Sequence, residues 1–211
     1  MALLTPPAVP RFPASTPEYD ASQQNTFTNV LRLYLNLLTN AINSLFGLSG
    51  GKYLEFPYGA FEDTASHSVT ANTANLMTFN TTDYSNRITM VDSSKITVTD
   101  DGIYNLQFST QLQNSDNAPQ DVSIWLSKNG TYISGSTGLI GMPARKSVGD
   151  PFHDIKGWNF YISLLANEYV QIYWSTTSAN VTIEAYAAGT GPVRPSTASN
   201  VVTMTFVSAL R

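Results

Sequence analysis

Gly102-Ile103-Tyr104-Asn105-Leu106-Gln107-Phe108-Ser109-Thr110-Gln111-Leu112-Gln113 alternates almost residue by residue. Tyr104, Leu106, Phe108 and Leu112 share one face, and Asn105, Gln107, Ser109, Gln111 and Gln113 share the other. A period of two marks a strand with one face in a core. The pattern returns at Val122, Ile124 and Leu126, and at Trp158, Phe160, Ile162 and Leu164. It returns again at Val170, Ile172 and Trp174, at Val181 and Ile183, and at Val202, Met204 and Phe206. Shorter runs at 87–91 and 95–99 do the same, and Asp100-Asp101-Gly102 and Lys128-Asn129-Gly130 are turn sequences. About ten one-faced strands predict a mainly β domain over residues 53–211, built as two sheets face to face in a sandwich or jelly roll.

Upstream the period changes. Phe27, Leu31, Tyr34, Leu38, Ala41 and Leu45 recur at alternating steps of four and three. That is the seam of helices that bundle with copies of themselves. Asp20 or Ser22 can cap the start and Gly47 can stop the end, giving a stem over residues 20–47. Val30, Leu33, Leu35, Leu37 and Ile42 widen the apolar face. A face this wide suits three or more helices; the other reading is an amphipathic helix lying on its own β domain. Ser49-Gly50-Gly51 predicts a Gly-rich hinge over residues 48–52.

Pro6, Pro7, Pro10, Pro13 and Pro17 crowd the first 17 residues, so residues 1–19 should run extended. This arm is either a frayed tail or a docking peptide, with Leu3, Leu4, Arg11 and Phe12 as its anchoring side chains. Met1-Ala2-Leu3-Leu4 followed by Thr5-Pro6-Pro7 lacks the basic and apolar regions of a secretion signal. No run reaches the ~18 apolar residues of a membrane span. The expectation is a protein made in a cytosol.

Charged residues make up 12% of the chain against an average of about 25%. Ser, Thr and Asn fill the gap, which suits a surface that packs against neighbours. The net charge of −4 supplies no basic field for nucleic acid. With no cysteine, a disulfide scaffold and a zinc–cysteine centre are excluded.

Four segments carry a family resemblance. Gly102-Ile103-Tyr104-Asn105-Leu106-Gln107-Phe108 resembles the Gly-x-Tyr-x-x-x-Phe strand of the complement globular-head and tumour necrosis factor superfamily. Val122 to Leu126 leading into Ser127-Lys128-Asn129-Gly130 is similar to that family's next strand, which often ends in Lys-Asn-Gly. Glu168-Tyr169-Val170-Gln171-Ile172 takes the place of its Gly-Asp-x-Val strand, and Thr205-Phe206-Val207-Ser208-Ala209-Leu210 resembles its closing Phe-x-Gly-x-Leu. Ser208 stands where the family has glycine, and Glu168-Tyr169 replaces Gly-Asp. The resemblance implies a ten-stranded jelly roll that assembles as a trimer. Similar domains cap appendages on bacteriophage particles, and the order of arm, helix and head looks like those proteins. It implies a virion structural protein made in the host cytoplasm: a homotrimeric fibre, decoration or adaptor whose arm docks on another virion protein. The alternative is a receptor- or glycan-binding head of a phage or bacterial surface appendage, with a host surface glycan as partner.

Chemistry is sparse, and the expectation is a protein that is not an enzyme and uses no cofactor. Asp150, His153 and Asp154 form the densest polar cluster, but no ligand motif completes a metal site there. Glu62-Asp63 reads as a solvated acidic pair in a loop rather than a catalytic pair. Trp125, Tyr161, Tyr169, Tyr173 and Tyr186 fall on the polar phase of their predicted strands. Aromatic residues concentrate at interface cores, so these five are candidate subunit contacts of the head. A carbohydrate-stacking platform is the competing reading.

Overall fold

A computed structural model describes residues 7–14, 17–46 and 55–210. The chain divides into two compact units, Met1–Glu55 and Phe56–Arg211, each of which stands on its own below. The anchors Leu3 and Leu4, the helix stop at Gly47 and the hinge at 48–52 lie outside the described residues.

In the first unit a single helix, α1, spans Ala21–Phe46. Asp20 is its cap: the Ser22 amide donates to Asp20 Oδ1 at 2.8 Å, and the Gln24 amide to the Asp20 carbonyl at 3.0 Å. Thr26, Thr28 and Ser44 turn their hydroxyls onto carbonyls four residues back, at 2.8–2.9 Å, which satisfies them within the helix. Residues 7–14 have no regular structure. Phe12 nonetheless packs against Phe27 with ring centroids 5.0 Å apart, and Gln23 donates to the Ala14 carbonyl. Arg11 is exposed.

The second unit begins with β1 (Tyr58–Asp63), β2 (Asn75–Leu76), β3 (Thr81–Asn86), β4 (Ile88–Val91) and β5 (Lys95–Val98). It continues through β6 (Gly102–Asn114), β7 (Gln120–Lys128), β8 (Thr131–Tyr132), β9 (Gly138–Met142) and β10 (Phe152–Leu164). It closes with β11 (Tyr169–Thr176), β12 (Val181–Ile183), β13 (Gly189–Thr190), β14 (Val193–Arg194) and β15 (Asn200–Ser208). One sheet has the order β10-β6-β15-β1-β3, with β12 also on β6. The facing sheet has the order β4-β5-β11-β7-β8, with β2 on β11 and β9 on β7. The pairings between these strands are antiparallel. From β5 to β6, β6 to β7, β9 to β10, β10 to β11 and β11 to β12 the chain crosses between sheets. Repeated crossing makes this a jelly-roll sandwich, the predicted fold.

The long strands carry the alternation that named the class. β6 and β10 pair along their whole length, from Phe152 opposite Asn114 to Leu164 opposite Gly102. Every second residue of β6, from Gly102 to Asn114, is buried. Tyr104, Leu106 and Leu112 of β6 join Ile124, Leu126, Leu164 and Trp174 in one core cluster, each almost wholly buried. Each such side chain contributes about 1.5–3 kcal/mol relative to exposure. The Tyr104 hydroxyl reaches the Asp100 carbonyl at 2.8 Å, and burial pushes its pKa up to about 12.

Two sequence expectations are corrected. Glu62 and Asp63 are the last residues of β1, not a loop. Their side chains point apart as adjacent strand residues must, but Asp63 is buried, 1% exposed, not solvated. Its Oδ2 accepts from Thr78 Oγ1 at 2.6 Å and lies 2.9 Å from His67 Nε2, while Oδ1 accepts from the Ala65 amide at 2.9 Å. A buried carboxylate needs such partners. Tyr186 lies in no strand; it follows β12 and makes one isolated bridge with Thr197.

Candidate functional site

Alternation sends four of the five singled-out aromatics outward, Tyr161 on one sheet and Trp125, Tyr169 and Tyr173 on the other, while Tyr186 lies outside the strands. Tyr161 lies on β10, opposite Asn105 of β6. Tyr186 sits near the other end of that sheet, its hydroxyl 2.9 Å from Gln113 Oε1 and 3.0 Å from His153 Nδ1. Burial pushes the Tyr186 phenol up to about 12, with Glu184 adding to the rise and Arg194 opposing it. It therefore stays protonated and able to donate. Trp125, Tyr169 and Tyr173 belong to the facing sheet, on β7 and β11.

On that facing sheet the rings gather. β11 pairs β7 with Tyr173 directly opposite Trp125. Their rings stack with centroids 5.9 Å apart and planes 16° apart. Tyr132 of β8 closes on both edge-on, at 5.6 Å from Trp125 and 5.2 Å from Tyr173. Offset stacks and edge contacts of this kind are the favoured aromatic geometries. Tyr169 stands apart from this trio, under the Lys95 ammonium at 5.5 Å. Burial, with neighbouring Tyr132 and Tyr169, raises the Tyr173 pKa above its usual 10.0. Tyr132 arrives because Asn129 and Gly130 both take left-handed backbone (φ 49° and 79°), turning β7 tightly into β8.

A polar network fixes that turn. Glu168 Oε2 accepts from the Leu165 amide at 2.7 Å and from Lys128 at 2.6 Å, and its Oε1 accepts from Asn129 Nδ2 at 2.8 Å. Asn129 Oδ1 in turn accepts from the Tyr169 amide at 3.0 Å. The Leu165 amide first, then Lys128 and Asn129, hold the Glu168 carboxyl below its usual 4.5. Asp116 is likewise held below its usual 3.8, by Ser178 first and then Asn180. Both groups have depressed pKa values in the fold. The stability they contribute is present above the ordinary values and lost as pH falls through the depressed ones. Thermal unfolding followed by circular dichroism should show the midpoint dropping as pH falls below the ordinary carboxylate values of 4.5 and 3.8. Glu168→Gln should flatten that dependence; an unchanged slope would mean that this network carries no pH-linked stability.

The outer face of the β6 sheet is different. On its edge strand β10 and the adjoining β6 and β15 the outward residues include Gln107, Ser109, Gln111, Ile155, Asn159 and Thr203, with no Asp, Glu, Lys or Arg among the outward residues of these three strands. Ile155 and Tyr161 are exposed there, at 61% and 68%. Asn105 Oδ1 is buried on this face without a hydrogen-bond partner among the described residues.

The stem seam is uncovered as well. Among the described side chains of α1 none is buried. Leu31, Tyr34, Leu38 and Ala41 are half-buried, while Phe27, Leu33, Leu35, Leu37, Ile42 and Leu45 are exposed. No helix among the described residues is long and apolar enough to cross a membrane.

Asp150, His153 and Asp154, the densest polar cluster of the sequence, turn to different partners. Asp150 faces Lys146 at 3.9 Å, Asp154 pairs with Lys156 at 2.8 Å, and His153 turns to Tyr186. Among the described residues no three His, Cys, Asp or Glu side chains are grouped to hold a metal ion. The Asp63–His67–Thr78 cluster, which the sequence did not reveal, is a hydrogen-bonded tie at the end of β1. The Ser199 hydroxyl donates to the Asp63 carbonyl there at 3.1 Å.

No protein-family model and no curated protein matches this chain. Among solved structures, the globular domain of zebrafish complement 1qA protein is similar. The TM-score is 0.44 at 11% identity, over 74% of this chain and 100% of that one.

Proposed function

We propose that this chain is a non-enzymatic structural subunit of a bacteriophage particle, a homotrimer that works by burying surface. The observation that carries the reading is α1. Its seam runs the length of a 26-residue helix, yet none of its described side chains is buried, and Phe27 and Leu45 are each 37% exposed. Contiguous exposed apolar surface of this kind marks an association site, and the a/d spacing of Leu31, Leu38 and Leu45 supplies the geometry for identical partners. The outward face of β10, β6 and β15, which carries no Asp, Glu, Lys or Arg, supports a second contact between heads. Depletion of charge is what distinguishes the core of an interface. Trimeric state and virion location rest on the resemblance of the head segments and on the order of arm, helix and head. The subunit would be made in the host cytoplasm and attach to another virion protein through the arm, with Arg11 and Phe12 among its contacts.

Mass-resolved light scattering of the purified chain should give three times 23.0 kDa. A variant lacking residues 2–17 should remain trimeric and be missing from purified particles, because an extended peptide binds by its backbone and pocketed side chains. A monomeric chain would overturn the assembly reading, and normal incorporation without the arm would overturn the docking role.

A further inference from the structure

The outer face of the β7–β11 sheet holds a feature that trimer formation through stem and β6 sheet leaves unused. Trp125, Tyr132 and Tyr173 form one ring cluster. Beside it lies an open hollow of about 500 Å³ lined by Trp125, Tyr132, Ile133, Ser134 and Thr137. We propose that this hollow binds a neutral saccharide, laid flat on the aromatic cluster.

The lining chooses the ligand class. Its side chains are aromatic, apolar or hydroxylated, and none is charged. Nearby cations are already engaged: Lys95 with Asp92 at 2.7 Å and Lys128 with Glu168 at 2.6 Å. An anionic ligand would thus find no unengaged cation in this lining among the described residues. A hydrocarbon chain would cover the rings but leave the hydroxyls of Ser134, Thr137 and Tyr132 without partners, which is unfavourable. Two further groups lack a partner among the described residues, the Trp125 indole N–H and the Ser127 hydroxyl. Ser127 lies opposite Tyr132 on the same face of β7 as Trp125 and is fully buried. A pyranose meets the demands of the open lining: its C–H faces are apolar and flat, and its hydroxyls both donate and accept, while the Trp125 N–H and Ser127 hydroxyl lie beneath the surface and are not offered to it. Pockets that fix small ligands have this makeup, apolar walls with a few placed polar groups.

A protein partner fits less well. Three rings at ~150–250 Å² each, even wholly covered, fall short of the ~800 Å² per partner that a stable protein contact buries. The Tyr132 hairpin is held from behind by Glu168 and Asn129, so the platform is set before any ligand arrives. Preorganisation of that kind lowers the ordering cost of binding.

The test is a glycan array carrying neutral and acidic oligosaccharides, probed with the full chain. The strongest neutral binder is then titrated by tryptophan fluorescence. Neutral glycans should bind, and Tyr132→Ala should weaken the titrated one by about tenfold or more. Tyr132 is exposed, so this variant should melt like the parent. Trp125→Ala removes the platform itself, and Trp125→Phe, which keeps a ring, should restore part of the affinity. Val148→Ala, at an exposed position outside this lining, should bind as the parent does. Binding to no glycan, to acidic glycans alone, or with affinity unchanged in Tyr132→Ala would each overturn the proposal. Loss of the trimer in Tyr132→Ala would overturn it too, by making the patch a subunit contact. The trimer's own mass is a separate readout, so failure of the assembly reading and failure of this one are distinguishable.

Discussion

Gly157→Ala is expected to cost the head about 3 kcal/mol or more, at the upper end of overpacking effects. Gly157 lies mid-strand in β10, opposite Ser109 of β6. A Cβ built there would sit 2.2 Å from the Phe108 carbonyl oxygen and 3.1 Å from the Ser109 Cα. Both are backbone atoms, so no side chain can swing aside. Relief requires the two strands to separate where they are paired over 13 residues. Strand pairing here also sets which side chains of β10 reach the core, because a one-residue slip turns every side chain to the other face. Differential scanning calorimetry should show the midpoint falling by roughly 6–12 °C, at about 2–4 °C per kcal/mol for a domain of this size. Gly141→Ala is the control: nothing lies within 4 Å of its added Cβ. If the two variants melt alike, the β6–β10 register is wrong, and with it the assignment of outward residues on that sheet.

The jelly roll was legible because its long strands carry their period without interruption. Seven buried positions from Gly102 to Asn114 in β6 and the core phase of β11 leave no other reading. The head's aromatic cluster was only half legible. Outward phase flagged Trp125 and Tyr173, but their meeting depends on which residue of β11 falls opposite which residue of β7, a register that no local pattern encodes. Tyr132 completes the cluster from a two-residue strand, too short to show any period. The only local hint was Asn129-Gly130, which announces the tight turn behind it. Asp63 was misread for a related reason. Beside Glu62 it looks like surface charge, and the partners that satisfy it, His67 and Thr78, approach only once β1 is placed in the sheet.

Leu31→Asp and Leu38→Asp are expected to abolish association while leaving the head folded. The two positions are seven residues apart, so they fall on the same line of α1. Both are half-buried in the single chain, and in a bundle of such helices they would face the axis. A carboxylate there has no cation to pair with, since the charged residue closest in the helix sequence is Arg32, exposed on another face. An unpaired buried charge costs several kcal/mol, and symmetry places one in every copy. The head should not notice: its core cluster lies wholly within Phe56–Arg211, a unit separate from α1. Light scattering should therefore report a single 23.0-kDa chain, while the head's near-ultraviolet signal, to which the buried Trp174 and Tyr104 contribute, stays as in the parent. Thr39→Asp, at an exposed position beside the seam, should leave the mass unchanged. If both leucine variants associate as the parent does, the seam is not the surface that joins subunits. The charge-free outward face of β10, β6 and β15 would then have to hold the oligomer alone.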